Sequence, residues 1–438
     1  MEKFVDLEII DINNDSKGVA KKEQLIYFVE NAQIGEKVRA EVLEYKKNFA
    51  TARKLETIEK SAYFEESKCI YSNICDGCSF QDINYQAQVE YKRNKIINQI
   101  NRMAYENLTT IPFLEADKRY EYRNKIEVKV DIYGNISYFS RKTNRNVAIK
   151  KCIIANPKIN EIISIIQEKI YEYELTGYDP YKNKGFIKNI MIRSTNLDEV
   201  MVVLVLNQNQ EISDFLKSLF DTGKIDSLYT TINTKKNNYK IMDTKLIGGK
   251  EKIQEKLGEQ IFLISPKSFL QVNTDMSYKI YLKAKEYIKN LNPDLLIDLY
   301  SGISTTSIIL SDIVKRIISV EIVEDAIKDA KENAKLNNVD NITWINKPAE
   351  VAINELQLKT ENTMALFDPP RKGLDPNIIQ KIGNSNINNI VYISCNPATL
   401  ARDIKLFKEF DFTLKEVIGV DMFVNTLHVE VLVLMTRE

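Results

Sequence analysis

Asp298-Leu299-Tyr300-Ser301-Gly302-Ile303-Ser304 is the stretch that decides the fold. It ends an apolar run, Leu295–Leu299, and leads into residues 305–312, whose pattern is helical. A strand, a tight turn at a glycine and a helix N-terminus make the first βα unit of a doubly wound sheet. Glu321 stands nineteen residues after Gly302 and closes the next apolar strand, 316–320. A carboxylate there can accept both hydroxyls of a ribose. A pyrophosphate would want GxGxxG, but here there is one glycine and no nearby basic residue. The turn points to a nucleoside cofactor without phosphate, S-adenosylmethionine; a nucleotide site or a plain strand–turn–helix are the alternatives.

Downstream the alternation continues. Glu324–Leu336 is an amphipathic helix, and 341–344, 364–367 and Asn389–Ser394 are strands, giving a parallel α/β sheet of Rossmann type. Ligands of such sheets bind at the carboxyl ends of the strands, where two further stretches fall. In Phe367-Asp368-Pro369-Pro370-Arg371, the prolines fix the loop so that Asp368 projects toward cofactor or target. In Ser394-Cys395-Asn396-Pro397-Ala398-Thr399-Leu400-Ala401-Arg402-Asp403, Cys395 precedes a helix N-terminus, which stabilises a thiolate, so Cys395 is a candidate nucleophile. Methylating carbon 5 of a pyrimidine requires such a nucleophile, because that carbon is a weak one until a thiolate has added to carbon 6. A base must then take the carbon-5 proton. Glu430, inside an expected final strand 426–434, is the candidate, since burial raises a carboxylate's pKa.

Composition bounds the rest. At roughly 150 residues per domain, 438 residues predict about three domains, and 44% hydrophobic residues are enough for each to bury a core. The single histidine, His428, excludes multi-histidine metal sites and argues against a Ser-His-Asp hydrolase. The longest apolar run, Val200–Leu206, is far short of the roughly 20 residues of a spanning helix, and the N-terminus has no signal-peptide pattern, so a soluble cytoplasmic protein is expected. Five cysteines in such a chain argue against a disulfide framework.

Upstream, segments 3–12, 17–22, 25–30, 37–45 and 49–57 read as five short strands, a barrel of the oligonucleotide-binding kind over residues 1–60. Cys69, Cys75 and Cys78 are spaced as metal ligands, and with Cys395 set aside Cys152 is the fourth; zinc and an iron–sulfur cluster fit the spacing equally. A polar helix is expected over about 85–105. Lys+Arg and Asp+Glu both total 61, yet residues 118–151 carry a local charge of +7, with Tyr120, Tyr122, Tyr133, Tyr138 and Phe139 interleaved. Two strands, 123–132 and 135–139, turned at Gly134, would set Arg123, Lys125 and Lys129 on one face, with Glu127 among them. Such a face suits RNA phosphates and stacked bases.

These stretches resemble, over nearly the whole chain, the bacterial RNA uridine-C5 methyltransferases, and among them the iron–sulfur branch acting on 23S ribosomal RNA. Glu36-Lys37-Val38 and Ala50-Thr51-Ala52 resemble that family's RNA-binding TRAM barrel. The run from Cys69 to Cys78, with Ser79-Phe80-Gln81 and Tyr91-Lys92-Arg93, resembles its cluster motif, and Phe269-Leu270-Gln271-Val272-Asn273 its cofactor motif. The resemblance implies a [4Fe-4S] cluster on Cys69, Cys75, Cys78 and Cys152. It implies S-adenosylmethionine contacts from Gln271, Tyr300 and Glu321, with Asp368 as the acid of the DPPR motif. It implies Cys395 as nucleophile, Glu430 as base, and a loop uridine of 23S rRNA as substrate of a monomeric enzyme. Domains are expected at 1–60 (TRAM), 61–264 (a central α+β domain carrying cluster and RNA-binding sheet) and 265–438 (methyltransferase). Ser301 and Ser304 depart from the family's usual cysteine and glycine, and the Cβ of Ser304 resists a positive φ. A transfer-RNA uridine methyltransferase, or an RNA-binding protein that has lost catalysis, are the alternatives.

Overall fold

The computed structural model describes residues 2–438 except 14, 73, 141–144, 209–211, 357 and 359–361. Arg141 and Lys142 of the basic stretch, and Asn14 of the first turn, therefore lie outside the described residues. Contacts group the chain into two units: Met1–Lys92 with Phe423–His428, and Arg93–Met422 with Val429–Glu438. No described helix is long and apolar enough to cross a membrane.

The first unit holds a closed five-stranded barrel, in the order Phe4–Ile12, Gly18–Lys22, Leu25–Glu30, Phe49–Glu59, Lys37–Tyr45. The expected strands match these bounds within two residues. Alternation builds the interior: Val5, Leu7 and Ile9 point in while their neighbours face out. Ala20, Ala40, Ala50 and Ala52 join them, small enough to let the barrel close. A second apolar cluster joins Ile12, Phe80, Ile83 and Leu427. The buried Gln88 amide donates to the carbonyls of Phe80 (2.9 Å) and Ile83 (2.8 Å) and to Asn425 Oδ1 (3.1 Å). This fastens residues 423–428 into the first unit.

The second unit contains two large sheets. One has eight strands in the order Ile342–Asn346, Arg316–Glu321, Leu295–Leu299, Thr363–Phe367, Asn389–Ser394, Glu430–Thr436, Thr413–Val420, Phe113–Leu114. The first five are parallel, as expected for a Rossmann-like fold. The expectation of a wholly parallel sheet is corrected at the other edge, where Glu430–Thr436 runs antiparallel to both its neighbours. The strand Thr413–Val420 was not expected, because its first half is largely exposed and shows no apolar run. The final strand begins at Glu430 rather than at 426, because the preceding residues leave the sheet for the first unit. The core beneath includes Ile297, Leu299, Phe367, Tyr392 and Phe407, with Phe367 stacked on Phe407 at 6.2 Å. Burying side chains of this size is worth about 1.5–3 kcal/mol each.

The other large sheet runs Thr244–Gly249, Ser227–Ile232, Val200–Leu206, Ile187–Ser194, Lys125–Val130, Ile136–Ser140, Arg145–Ala148. The expected hairpin at Gly134 is present, its turn closed by Asp131 Oδ1, which accepts from Tyr133 N and Asn135 N, both at 2.9 Å.

Candidate active site

Strand register builds the site. Leu299 pairs with Val320 on one side and Phe367 on the other. One residue further, Glu321, Tyr300 and Asp368 stand in a row at the carboxyl ends of three adjacent strands. The turn after Tyr300 is left-handed three times: Tyr300 (φ 67°), Gly302 (φ 56°) and Ser304 (φ 58°). For the two L-residues this costs roughly 1–2 kcal/mol each. Ser304 thus adopts the glycine-like conformation that its Cβ resists, and Trp344 Nε1 donates to its buried hydroxyl at 3.0 Å.

Glu321 is fixed by main chain: its Oε2 accepts from Gly302 N at 3.0 Å and its Oε1 from Val323 N at 2.9 Å. Each oxygen keeps a lone pair for a ribose hydroxyl. A Cβ built on Gly302 would meet nothing within 4 Å, so open space lies over the turn. The buried Ser301 hydroxyl beside it has no hydrogen-bond partner among the described residues. An orphaned hydroxyl, open space over a glycine and a fixed carboxylate suit a nucleoside ligand such as S-adenosylmethionine. Beneath, the buried Asp298 accepts from Ser307 Oγ at 2.6 Å, and burial pushes its pKa up to about 7.

At the other end of the edge, Ser394 pairs with Val431 in the antiparallel ladder. Continuing that ladder by one step brings Cys395 opposite Glu430, and the two lie close enough for Glu430 to act on the thiol. Glu430 is 2% exposed, and its Oε2 has no hydrogen-bond partner among the described residues. Burial holds it well above the ordinary carboxylate range, with Asp368 pushing the same way and Arg371 opposing. Burial also pushes the Cys395 thiol up to about 11, with Glu430 and Asp368 adding to the effect and Arg371 opposing it. This corrects the expectation of a thiolate stabilised by the helix N-terminus. Asn396 caps Pro397–Lys408, accepting from Ala398 N at 3.2 Å, while desolvation and two acidic neighbours raise the thiol. Asp368, half-buried, is pushed up to about 7 by desolvation.

A clamp fixes the loop between Asp368 and Cys395. Asp403, fully buried, accepts from Leu374 N (2.9 Å), Tyr392 OH (2.7 Å) and Arg402 Nε (2.8 Å). Arg402 Nη2 donates to the carbonyls of Lys372 and Leu374, each at 3.1 Å. Gly373 (φ 77°) fits beneath it, where a Cβ would lie 2.6 Å from both Arg402 and Asp403. Asn396 Nδ2 and Thr399 Oγ1 also donate to Arg371 O, at 3.0 and 3.2 Å. Arg402 and Asp403 carry no expected role in the sequence, since adjacent helix residues do not face each other and nothing in their spacing shows what they hold.

Gln271 is buried on the segment before the helix Thr274–Leu291. Its main chain is tied to the other large sheet: Asn124 Nδ2 donates to Gln271 O at 3.1 Å, and Asn124 N to Val272 O at 2.9 Å. Asn124 is a positioning residue that sequence reading passed over.

Cys69, Cys75 and Cys78 lie in the first unit and Cys152 in the second. All four are half-buried thiols, and no group of three or more metal-ligating side chains is gathered among the described residues. The alternation expected near Gly134 holds, with Ile126, Val128 and Val130 buried and residues 125, 127 and 129 on the opposite face. That basic face is internally committed, however. Lys125 pairs with Glu127 at 3.0 Å, Arg123 Nε donates to Lys125 O at 2.9 Å, and Lys129 Nζ lies over the rings of Phe139 (4.5 Å) and Tyr239 (4.1 Å).

Residues 84–438 match the family model of tRNA (uracil-5-)-methyltransferases. Among curated relatives, an uncharacterized RNA methyltransferase of Clostridium acetobutylicum is 34% identical, over 99% of this chain and 96% of that protein. Another, from Halalkalibacterium halodurans, is 32% identical over 97% and 95%. Among solved structures, the tRNA (uracil-54, C5)-methyltransferase of Pyrococcus abyssi with S-adenosyl-L-homocysteine is similar. It has a TM-score of 0.79 and 25% identity, covering 99% of this chain and 100% of that one.

Proposed function

We propose, since this chain belongs to the tRNA (uracil-5-)-methyltransferase family, that Cys395 and Glu430 are the nucleophile and base of its S-adenosylmethionine-dependent RNA uracil-5 methylation. The observation that carries this reading is the register that sets Cys395 opposite Glu430, on the edge that also holds Glu321, Tyr300 and Asp368. The Cys395 thiol gives its proton to solvent and the sulfur adds to carbon 6 of the uracil, opening the carbon 5–carbon 6 double bond so that its electron pair lies on carbon 5. S-adenosylmethionine, when bound, supplies the electrophilic methyl that this carbon takes up. Glu430 then removes the carbon-5 proton, and the ring expels the Cys395 thiolate to restore its double bond. A carboxylate poised well above its ordinary range is a strong proton acceptor, which suits that step. Glu321 holds the cofactor ribose, with Gln271, Tyr300 and Asp368 as further contacts.

The substrate on this reading is a single-stranded loop uridine of 23S rRNA, since the target base must leave its stack to reach a buried thiol. The compartment is the cytoplasm, and the enzyme works as a monomer. The spacing of Cys69, Cys75 and Cys78, with Cys152 as fourth ligand, supports a structural [4Fe-4S] cluster; methyl transfer needs no electron from it. Residues 1–60, 61–264 and 265–438 divide the work into RNA capture, cluster with RNA-binding sheet, and methyl transfer. The likeness to an archaeal tRNA methyltransferase over the whole chain favours a second reading, a tRNA substrate.

Incubating the enzyme with 23S rRNA and tRNA from a deletion strain, followed by mass mapping, separates the two: 5-methyluridine in 23S rRNA alone supports the first and in tRNA alone the second. Cys395→Ser should lower methylation by about three orders of magnitude or more while RNA still binds; undiminished turnover would remove Cys395 as the nucleophile. Anaerobically purified protein should contain iron and sulfide, and stoichiometric zinc instead would overturn the cluster.

A further inference from the structure

The positive charge still free for a partner lies beside the committed face of Lys125 and Lys129, on two loops, 178–185 and 233–243. Lys182, Lys184, Lys235, Lys236 and Lys240 are all exposed there. Among the described residues none of the five forms an ion pair, and the Nζ of Lys236 reaches only the carbonyl of Tyr181, at 3.1 Å. The acids of these loops are Asp179 and Asp243. Asp179 is occupied in its own turn, accepting from Tyr181 N (2.8 Å) and Lys182 N (3.2 Å), and Asp243 faces Lys267 at 3.8 Å.

The two loops are built as one surface. Lys188, fully buried, lies over the Tyr178 ring at 4.4 Å and donates to Lys235 O at 2.8 Å. Tyr178 and Tyr239 meet edge to face at 5.9 Å, and Asn237 N donates to Tyr178 OH at 3.3 Å. Lys129 then joins Tyr239 to Phe139. Three cation–π contacts lie beneath the exposed cationic rim. Tyr181, 79% exposed, projects from this rim, with Phe139 and Met242 also exposed nearby.

We infer that loops 178–185 and 233–243 form a docking surface for single-stranded RNA flanking the target uridine. The lysines take backbone phosphates and Tyr181 stacks on a base. Resting on the RNA-methyltransferase reading, this adds where the rest of the substrate lies. Lysines without acidic partners fit a polyanion, and an exposed tyrosine among them fits a base better than a lipid headgroup or an acidic peptide.

The test uses the full-length protein and a fluorescent single-stranded RNA of mixed sequence, titrated across a salt series. Replacing Lys182, Lys184, Lys235 and Lys240 together by Ala should weaken binding at least tenfold at low salt. It should flatten the log–log salt slope by about 0.7 for each phosphate that a lysine no longer neutralises. The same four changed to Arg should restore both. Tyr181→Ala should cost about tenfold in affinity with the slope unchanged. S-adenosylmethionine affinity, unchanged throughout, reports that the variants are folded. A quadruple variant that binds with wild-type affinity and slope overturns the inference even if the wild type methylates RNA. Wild-type protein that binds and yields to these substitutions, yet methylates no RNA, keeps the surface and sinks the catalytic reading instead. Equal losses on anionic lipid vesicles and RNA would overturn the assignment to RNA.

Discussion

The two ends of the carboxyl edge are wired differently. At the cofactor end, Glu321 accepts two main-chain N–H groups, and the strained turn beside it is pinned by Trp344. At the Cys395 end, Glu430 has an oxygen without a partner among the described residues, and burial pushes the Cys395 thiol up to about 11. One end is organised before its ligand arrives. At the other, burial disfavours charge on both Glu430 and Cys395.

Breaking the Cys395 end should have the larger consequences. Glu430→Gln should slow turnover by about a hundredfold to ten-thousandfold and leave a methylated RNA–protein adduct visible on a denaturing gel. Normal turnover without that adduct would take the base role from Glu430. At the cofactor end, Glu321→Gln should raise the S-adenosylmethionine dissociation constant by about 10- to 100-fold, since a charged acceptor becomes neutral. Calorimetry reads this directly, and kcat at saturation should barely move. Arg371→Ala removes a cation that lowers the thiol's pKa. Because the reactive form is the deprotonated one, the rising limb of kcat/KM against pH should shift upward by about one unit. That is about tenfold at neutral pH, and Arg371→Lys should restore it. A profile that stays put would mean that thiol deprotonation does not set the limb. Smallest is Trp344→Phe, which frees the Ser304 hydroxyl and should cost about 1 kcal/mol of stability, measured by urea unfolding, with a few-fold loss in cofactor affinity.

Much of this edge was legible in the sequence because strand ends and turns write themselves locally. The glycine of the turn, the acid nineteen residues on, and a cysteine at a strand's end before Asn-Pro all keep their positions in the fold. Burial does not write itself that way. The helix after Cys395 suggested an activated thiol, whereas the acidic side chains that oppose activation come from strands 27 and 35 residues distant in the chain. Ser304 was legible as a point of strain, but its relief by Trp344, forty residues on, was not. The basic stretch near Gly134 showed its charge correctly. What it could not show was that Lys125 and Lys129 are spent on Glu127, Phe139 and Tyr239, leaving free charge on loops whose sequences look like ordinary connections. Thr413–Val420 escaped because half of the strand is largely exposed and carries no alternation.

The segment 423–428 leaves the catalytic sheet, is fastened in the barrel-bearing unit by Gln88 and Leu427, and returns only two residues before Glu430. The polypeptide thus passes between the units three times, after residues 92, 422 and 428. A protease nick after residue 92 leaves residues 1–92 held to the rest only by their packing on 423–428. An N-terminal truncation strips the lining from a segment that feeds the base.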